Sequence, residues 1–158
     1  MKPGQLVVYD YRDATPASIS TTESHPSLKV LQWNVERNYA SEDILTIMNQ
    51  LDPDVAILQE VDIDCKRSGS RNHMEEMCKA LKMKGGFVCE FHEIDSPVRE
   101  LRNEGGGFHG NAILSKYDID FQVLEHQYQP FDWPKDGLGL GEPREGRRPG
   151  GSPKAVIR

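Results

Sequence analysis

Short apolar runs bounded by polar turns alternate with amphipathic stretches along much of this chain. Residues 28–35 (LKVLQWNV) read as a strand. Ser41 then offers an N-cap, Glu42 and Asp43 occupy a first turn where the helix dipole favours acids, and Ile44, Ile47, Met48 and Leu51 form one helical stripe. Pro53 forbids continuation of that helix nearby. Residues 55–61 (VAILQEV) form a continuous apolar run with a polar end, the pattern of a buried strand.

The alternation then repeats. Asn72 and Glu75 resemble a capping box, Met74, Met77, Cys78 and Leu81 make the next apolar stripe, and Gly85-Gly86 is expected to end that helix. Strands are expected over residues 87–91 and 112–115, separated by a long polar loop that contains Gly105, Gly106 and Gly107. Ile119, Phe121 and Val123 alternate as in a half-buried strand. Residues 130–153 are dense in Pro and Gly and read as an extended loop, and Ala155, Val156 and Ile157 start a further strand with no evident partner. Near the N-terminus, residues 6–9 either form a short strand or simply pack against the domain, and the Ser/Thr/Pro-rich residues 14–27 read as a linker. The expected organisation is an N-terminal segment over residues 1–27, partly linker-like, and an α/β domain over residues 28–158.

Composition narrows this picture only a little. A chain of 158 residues is long enough for one domain with a real core. A net charge of -6 argues against a surface that tracks nucleic acid throughout, but leaves room for a local basic groove. The three cysteines form no C-x-x-C pair and suggest neither a disulfide framework nor a zinc site, as expected of free thiols in a reducing compartment. No apolar stretch approaches the roughly 18 residues of a spanning helix. No apolar signal segment follows Lys2, so an intracellular location is expected.

Two polar pairs carry the candidate chemistry. Trp33-Asn34 and Gln59-Glu60 each end an apolar strand, with one helix between them, and that end of an α/β sheet is where ligands bind. A carboxylate and an amide side by side can hold a hard cation, because Mg2+ takes one or two protein carboxylates and keeps several waters. Taken alone, either pair is as well explained by the capping of a strand end. Asp62 follows Glu60 by two and is expected on the same face, either supporting that site or solvated in a loop. Arg147 and Arg148 match phosphate geometry, with a solvated loop position the expected alternative for at least one of them, and Phe131 and Trp133 either stack a base or anchor their loop. The Gly105–Gly107 run lacks the Lys-Ser/Thr of a phosphate loop and reads as flexible. His73 is expected at the exposed start of its helix, and His25, His92 and His126 show no shared spacing.

The ordered set LKVLQWNVER, VAILQEVD and HGNAILSKYDI resembles the endonuclease/exonuclease/phosphatase superfamily, in which a strand ending W-N, a helix, a strand ending Q-E and a later G-x-A-I-L-S-K recur. The resemblance implies part of a four-layer α/β sandwich with two mixed β-sheets, acting as a Mg2+- or Mn2+-dependent hydrolase of phosphate esters, a phosphodiesterase or nuclease. It implies Glu60 as metal ligand with Asn34 beside it, Asn111 as a further catalytic residue, and His109 and Arg147 as substrate contacts. Its substrates are phosphodiesters or phosphomonoesters, nucleic acids among them, and DNA, RNA, sphingolipid and inositol phosphate all remain open. Glu145-Gly146-Arg147 resembles the family's E-G-R segment, although residues 149–154 lengthen its spacing. The family's later G-D-x-N and S-D-H segments do not occur in these 158 residues. The expectation is therefore a domain lacking its C-terminal catalytic motifs. The alternatives are an inactive metal- or phosphate-binding module that needs a partner chain, and an α/β domain with accidental matches.

Overall fold

A computed structural model describes residues 1–13, 27–124 and 154–157. Its main sheet has five strands in the order β1-β4-β5-β3-β2. These are β1 (Leu6–Asp10), β2 (Val30–Asn34), β3 (Val55–Ile63), β4 (Lys84–His92) and β5 (Phe108–Ser115). Only β2 and β3 pair in parallel; the other three pairings are antiparallel, so the sheet is mixed. Helix α1 (Ser41–Leu51) connects β2 to β3, and α2 (His73–Leu81) connects β3 to β4. The N-terminal apolar run is thus an edge strand of the sheet, and residues 14–26 lie outside the described residues.

Both helices cover one face. Ile44 and Met48 of α1 and Met74, Met77 and Cys78 of α2 pack on Ala56, Leu58, Phe87, Ala112 and Leu114. Met48, Leu58, Phe87 and Met74 are wholly buried, and each such side chain contributes about 1.5–3 kcal/mol of transfer free energy. Leu31 and Trp33 of β2 pack on the same cluster, so Gln32 and Asn34 point away from the helices.

A second, two-stranded antiparallel sheet joins β6 (Phe121–Leu124) to β7 (Lys154–Ile157), and β7 lies against β4 and β5. The strand begun at residue 155 therefore does have a partner, contrary to expectation.

Three local expectations are corrected by packing. Ser41 is the first residue of α1, and Ala40 precedes it as a cap residue with no side-chain bond; Ser41 Oγ instead accepts from Arg71. Gly85 and Gly86 do not end α2, which stops at Lys82 in the left-handed region; they belong to β4. A Cβ on Gly85 would meet Met74 and Cys78, and one on Gly86 would meet the Phe121 ring 2.6 Å away. Glycine is needed there because α2 and β6 press on β4 from opposite faces. The Gly105–Gly107 run is a packed crossing, since a Cβ on Gly107 would stand 2.2 Å from the Ile63 carbonyl oxygen. Lys66 N–H donates to Gly105 O, and Glu93 N–H to Gly107 O.

Asn72 caps α2 as expected, its Oδ1 accepting from Glu75 N–H at 3.1 Å. His73 is 1% exposed rather than solvated, with Nε2 2.8 Å from the Ser68 carbonyl oxygen. All three cysteines are free and buried, and burial pushes the Cys65 and Cys78 thiols up to about 12 and that of Cys89 to about 11. No helix among the described residues is long and apolar enough to cross a membrane.

Candidate active site

The helix-free face gathers polar side chains where β2 and β3 end. Two bulges create the arrangement. In β3 the partners jump from Leu58↔Ala112 to Val61↔Gly110, so Gln59 and Glu60 together oppose one residue, Asn111. In β4 the jump from Cys89↔Gly110 to Phe91↔His109 leaves Glu90 as the extra residue. Bulges re-aim side chains, and these two flank the same stretch of β5. Because Ala112 and Leu114 face the helices, His109 and Asn111 face the opposite way.

Glu60 sits in the left-handed region (φ 59°), which a non-glycine residue adopts only under constraint. Its Oε1 accepts from Asn34 Nδ2 at 2.8 Å, and Oε2 has no protein partner among the described residues. Asn34 Oδ1 accepts from Glu36 N–H at 2.9 Å. Three successive residues then take left-handed conformations, Glu36, Arg37 and Asn38 (φ 45°, 60° and 56°). Each such residue costs about 1–2 kcal/mol. The turn is held by Asn38, which is 2% exposed and whose Oδ1 accepts from Asp62 N–H at 3.0 Å. It is held also by Tyr39 Oη, which donates to the Arg102 carbonyl at 2.6 Å. Strain is thus concentrated on both sides of the Asn34–Glu60 pair. An open depression of about 420 Å³, lined by Glu36, Tyr39, Arg67, Leu101 and Arg102, lies beside this turn.

Asp62 does not share the Glu60 setting. The bulge keeps Val61 and Ile63 in the core and turns Asp62 to the helix-free face, where its side chain is wholly buried. Arg67 grips it bidentately, Nε to Oδ2 at 2.7 Å and Nη2 to Oδ1 at 2.9 Å. His109 Nδ1 lies 2.7 Å from Oδ1, and Ser68 Oγ donates to Oδ2 at 3.3 Å. Arg67 Nη1 donates to Glu93 at 2.7 Å, and Arg99 closes the chain on the other Glu93 oxygen at 2.8 Å. Burial alone would raise the Asp62 carboxyl, but hydrogen bonds from Arg67 and His109 outweigh it and hold it below the usual carboxylate range. Glu93 behaves likewise, with Arg99 and Arg67 outweighing its burial.

Of the residues expected from sequence, Asn34 and Glu60 meet directly. Asn111 is tied to Glu90, its Nδ2 donating to Oε1 at 2.5 Å. His109 is 6% exposed, joined to Asp62 and stacked on Phe91 with ring centroids 4.9 Å apart. Arg147, Arg148, Phe131 and Trp133 lie outside the described residues. Sequence reasoning missed Asn38, Arg67, Glu93 and Glu90. Arg67, five residues after Asp62 in a polar turn, carries no local signal of its 1% exposure.

The carboxylate–amide pair stands where the parallel strands β2 and β3 end, and that end of an α/β sheet is where ligands generally bind. The family model described as the endonuclease/exonuclease/phosphatase family matches residues 31–153, and the chain belongs to that family. Its members are generally hydrolases of phosphate esters, typically dependent on a divalent metal. No curated protein and no solved structure matches the chain.

Proposed function

We propose that this chain forms the cation-holding side of a Mg2+-dependent phosphodiesterase of nuclease type, with Glu60 and Asn34 as its metal residues. The observation that carries this reading is the Asn34–Glu60 hydrogen bond, which orients one carboxylate oxygen and leaves the other without a protein partner. The donor set fits Mg2+. Among the described residues no cluster of three or more His, Cys, Asp or Glu side chains could enclose an ion, so the pair suits a cation that keeps waters and meets its substrate's phosphate. Mn2+ takes similar oxygen donors.

When bound, the cation supplies charge that polarises a phosphoryl oxygen and stabilises the negative charge developing on it. Asn34 fixes the Glu60 carboxylate, and the strained turn after Asn34 fixes Asn34. Asn111, with its amide nitrogen committed to Glu90, keeps its carbonyl oxygen for a water or hydroxyl donor on the same face. Arg147 is proposed as a phosphate contact by the E-G-R resemblance alone. The groups that deprotonate the attacking water are proposed to come from G-D-x-N and S-D-H segments, which these 158 residues do not contain. The five-stranded sheet and its helices are proposed as one half of a four-layer sandwich, with β6 and β7 starting the second sheet. Phe121 packed on Gly86 supports that reading.

Calorimetric Mg2+ titration of this chain and of Glu60→Gln tests the assignment. Saturable binding that disappears in the variant is expected. Equal binding by both proteins, or none by either, would overturn it.

A further inference from the structure

The open depression beside the strained turn is built from segments far apart in the chain. Glu36 and Tyr39 come from that turn, and Leu101 and Arg102 from a single turn of 3-10 helix, Leu101–Asn103. Tyr39 Oη accepts from Arg37 Nη1 at 3.4 Å and donates to the Arg102 carbonyl at 2.6 Å, so its ring is fixed from its tip. Arg99 Nη1 donates to the Asn103 carbonyl at 3.1 Å, and Arg67 N–H donates to the Glu104 carbonyl at 3.3 Å. The backbone of this short helix is thus held on both sides while its side chains stay outside. Leu101 is 79% exposed, and the Arg102 side chain 72%.

Arg102 is oriented although it is exposed. Its guanidinium lies over the Tyr39 ring, 5.3 Å from the centroid, and its Nη2 donates to Glu36 Oε1 at 3.0 Å. An aromatic ring backs the guanidinium, a carboxylate holds one edge, and the remainder meets solvent. Nucleobases stack on arginine planes as they do on aromatic rings. A lone exposed leucine signifies little. Leu101, however, lines the same depression as that plane and offers an apolar contact to a ring laid there. Glu36 joins the depression to the candidate site, since its N–H donates to Asn34 Oδ1 at 2.9 Å and Asn34 donates to Glu60.

The lining also discriminates among phosphoester classes. Both of its cations already face acids, Arg67 facing Asp62 and Glu93, and Arg102 facing Glu36. A phosphorylated inositol would find no unpaired cation among these lining residues. A choline headgroup would meet the guanidinium that lies over Tyr39 and be repelled by it. An acyl chain would find one aliphatic side chain, Leu101, among the described residues lining it. A flat, uncharged ring is the group that these surfaces suit.

We propose that Arg102, backed by Tyr39 and flanked by Leu101, is a nucleobase-stacking subsite beside the Asn34–Glu60 pair. This rests on the phosphoester reading given above and deepens it, by naming the residues that would select a nucleotide next to the phosphodiester over a lipid or inositol headgroup.

Methyl and amide NMR titration of the 158-residue chain in EDTA, with four phosphodiesters, tests this. Adenylyladenosine, glycerophosphocholine, glycerophosphoinositol and dimethyl phosphate share the diester and differ in what flanks it. Adenylyladenosine is expected to bind about tenfold or more tighter than dimethyl phosphate. It should also move the Leu101 methyl resonances upfield, through the ring current of the stacked base. The two glycerophosphodiesters should bind like dimethyl phosphate. Equal affinity for all four, tighter binding of either glycerophosphodiester, no binding of adenylyladenosine, or its binding without a shift at Leu101 would overturn the proposal. Arg102→Lys keeps the charge and the backbone carbonyl that Tyr39 holds, but removes the planar face. That variant should bind adenylyladenosine no better than dimethyl phosphate. Unchanged affinity in R102K would show a contact of charge alone and overturn the proposal too. These titrations contain no metal, and the Mg2+ titration reads Glu60 alone, so failure there and failure here are separate outcomes.

Discussion

Glu60 and Asp62 stand two positions apart on β3, and their carboxylates are treated in opposite ways. Glu60 receives one hydrogen bond, from Asn34, and its other oxygen has no protein partner among the described residues. Asp62 receives bonds from Arg67, Ser68 and His109 and has no exposed surface. The first carboxylate is kept ready at the cost of backbone strain. The second is saturated, as a buried charge must be if it is not to destabilise the fold. One bulge makes both environments possible, since without it the alternation running on from buried Leu58 would turn residues 60 and 62 toward the helices. Within this small sheet, a site for ligand and a brace for the backbone are distinguished by the number of donors each acid finds.

Removing the brace should have the largest effect. Arg67→Ala strands Asp62 and Glu93 without their guanidinium, and urea unfolding should show a loss of about 3–5 kcal/mol. A loss below about 1 kcal/mol would mean that water enters and replaces the arginine.

Acid should act on the same brace. Asp62 and Glu93 have folded-state values below their ordinary 3.8 and 4.5, so the unfolded chain takes up protons first. Their contribution is full above those ordinary values and is lost as the pH falls through the depressed ones. Burial also lowers His73 from 6.5, the Ser68 carbonyl opposing this only in part, so its contribution begins to fall below about pH 6.5. Thermal melting against pH should therefore show stability decreasing in two stages on acidification, the upper stage missing in His73→Gln. A melting temperature that rises below pH 6 would contradict this.

Asn72→Ala removes the cap of α2, and also a bond from Asn72 Nδ2 to Tyr9 Oη, and should cost about 1 kcal/mol in the same unfolding assay. Glu60→Gln lies at the other extreme. Its unfolding free energy should stay within about 0.5 kcal/mol of the parent, while the proposed Mg2+ binding is expected to be lost. If instead Glu60→Gln unfolds the chain as Arg67→Ala does, the contrast between the two acids is wrong.

Much of this was legible in the sequence because it follows from short-range rules. Apolar runs and helical stripes placed six strands and both helices, because burial of one face imposes the period of the element that carries it. The W-N and Q-E strand ends pointed to the amide and carboxylate that meet, since strands joined by one helix are commonly neighbours, and β2 and β3 do pair in parallel. The order of those motifs determined the family, which the match over residues 31–153 bears out. What the tertiary structure alone decided depends on contacts between distant segments. Gly85 and Gly86 look like a helix stop until Met74 and Phe121 are seen pressing on them from two layers. His73 looks solvated until the Ser68 carbonyl closes over it. Asp62 could be assigned to solvent or to the metal site until a one-residue bulge sent it to Arg67 and His109, which lie 5 and 47 residues further along the chain. Periodicity is a property of neighbours along the chain, whereas the charge balance of a buried cluster depends on partners that only folding brings within hydrogen-bond reach.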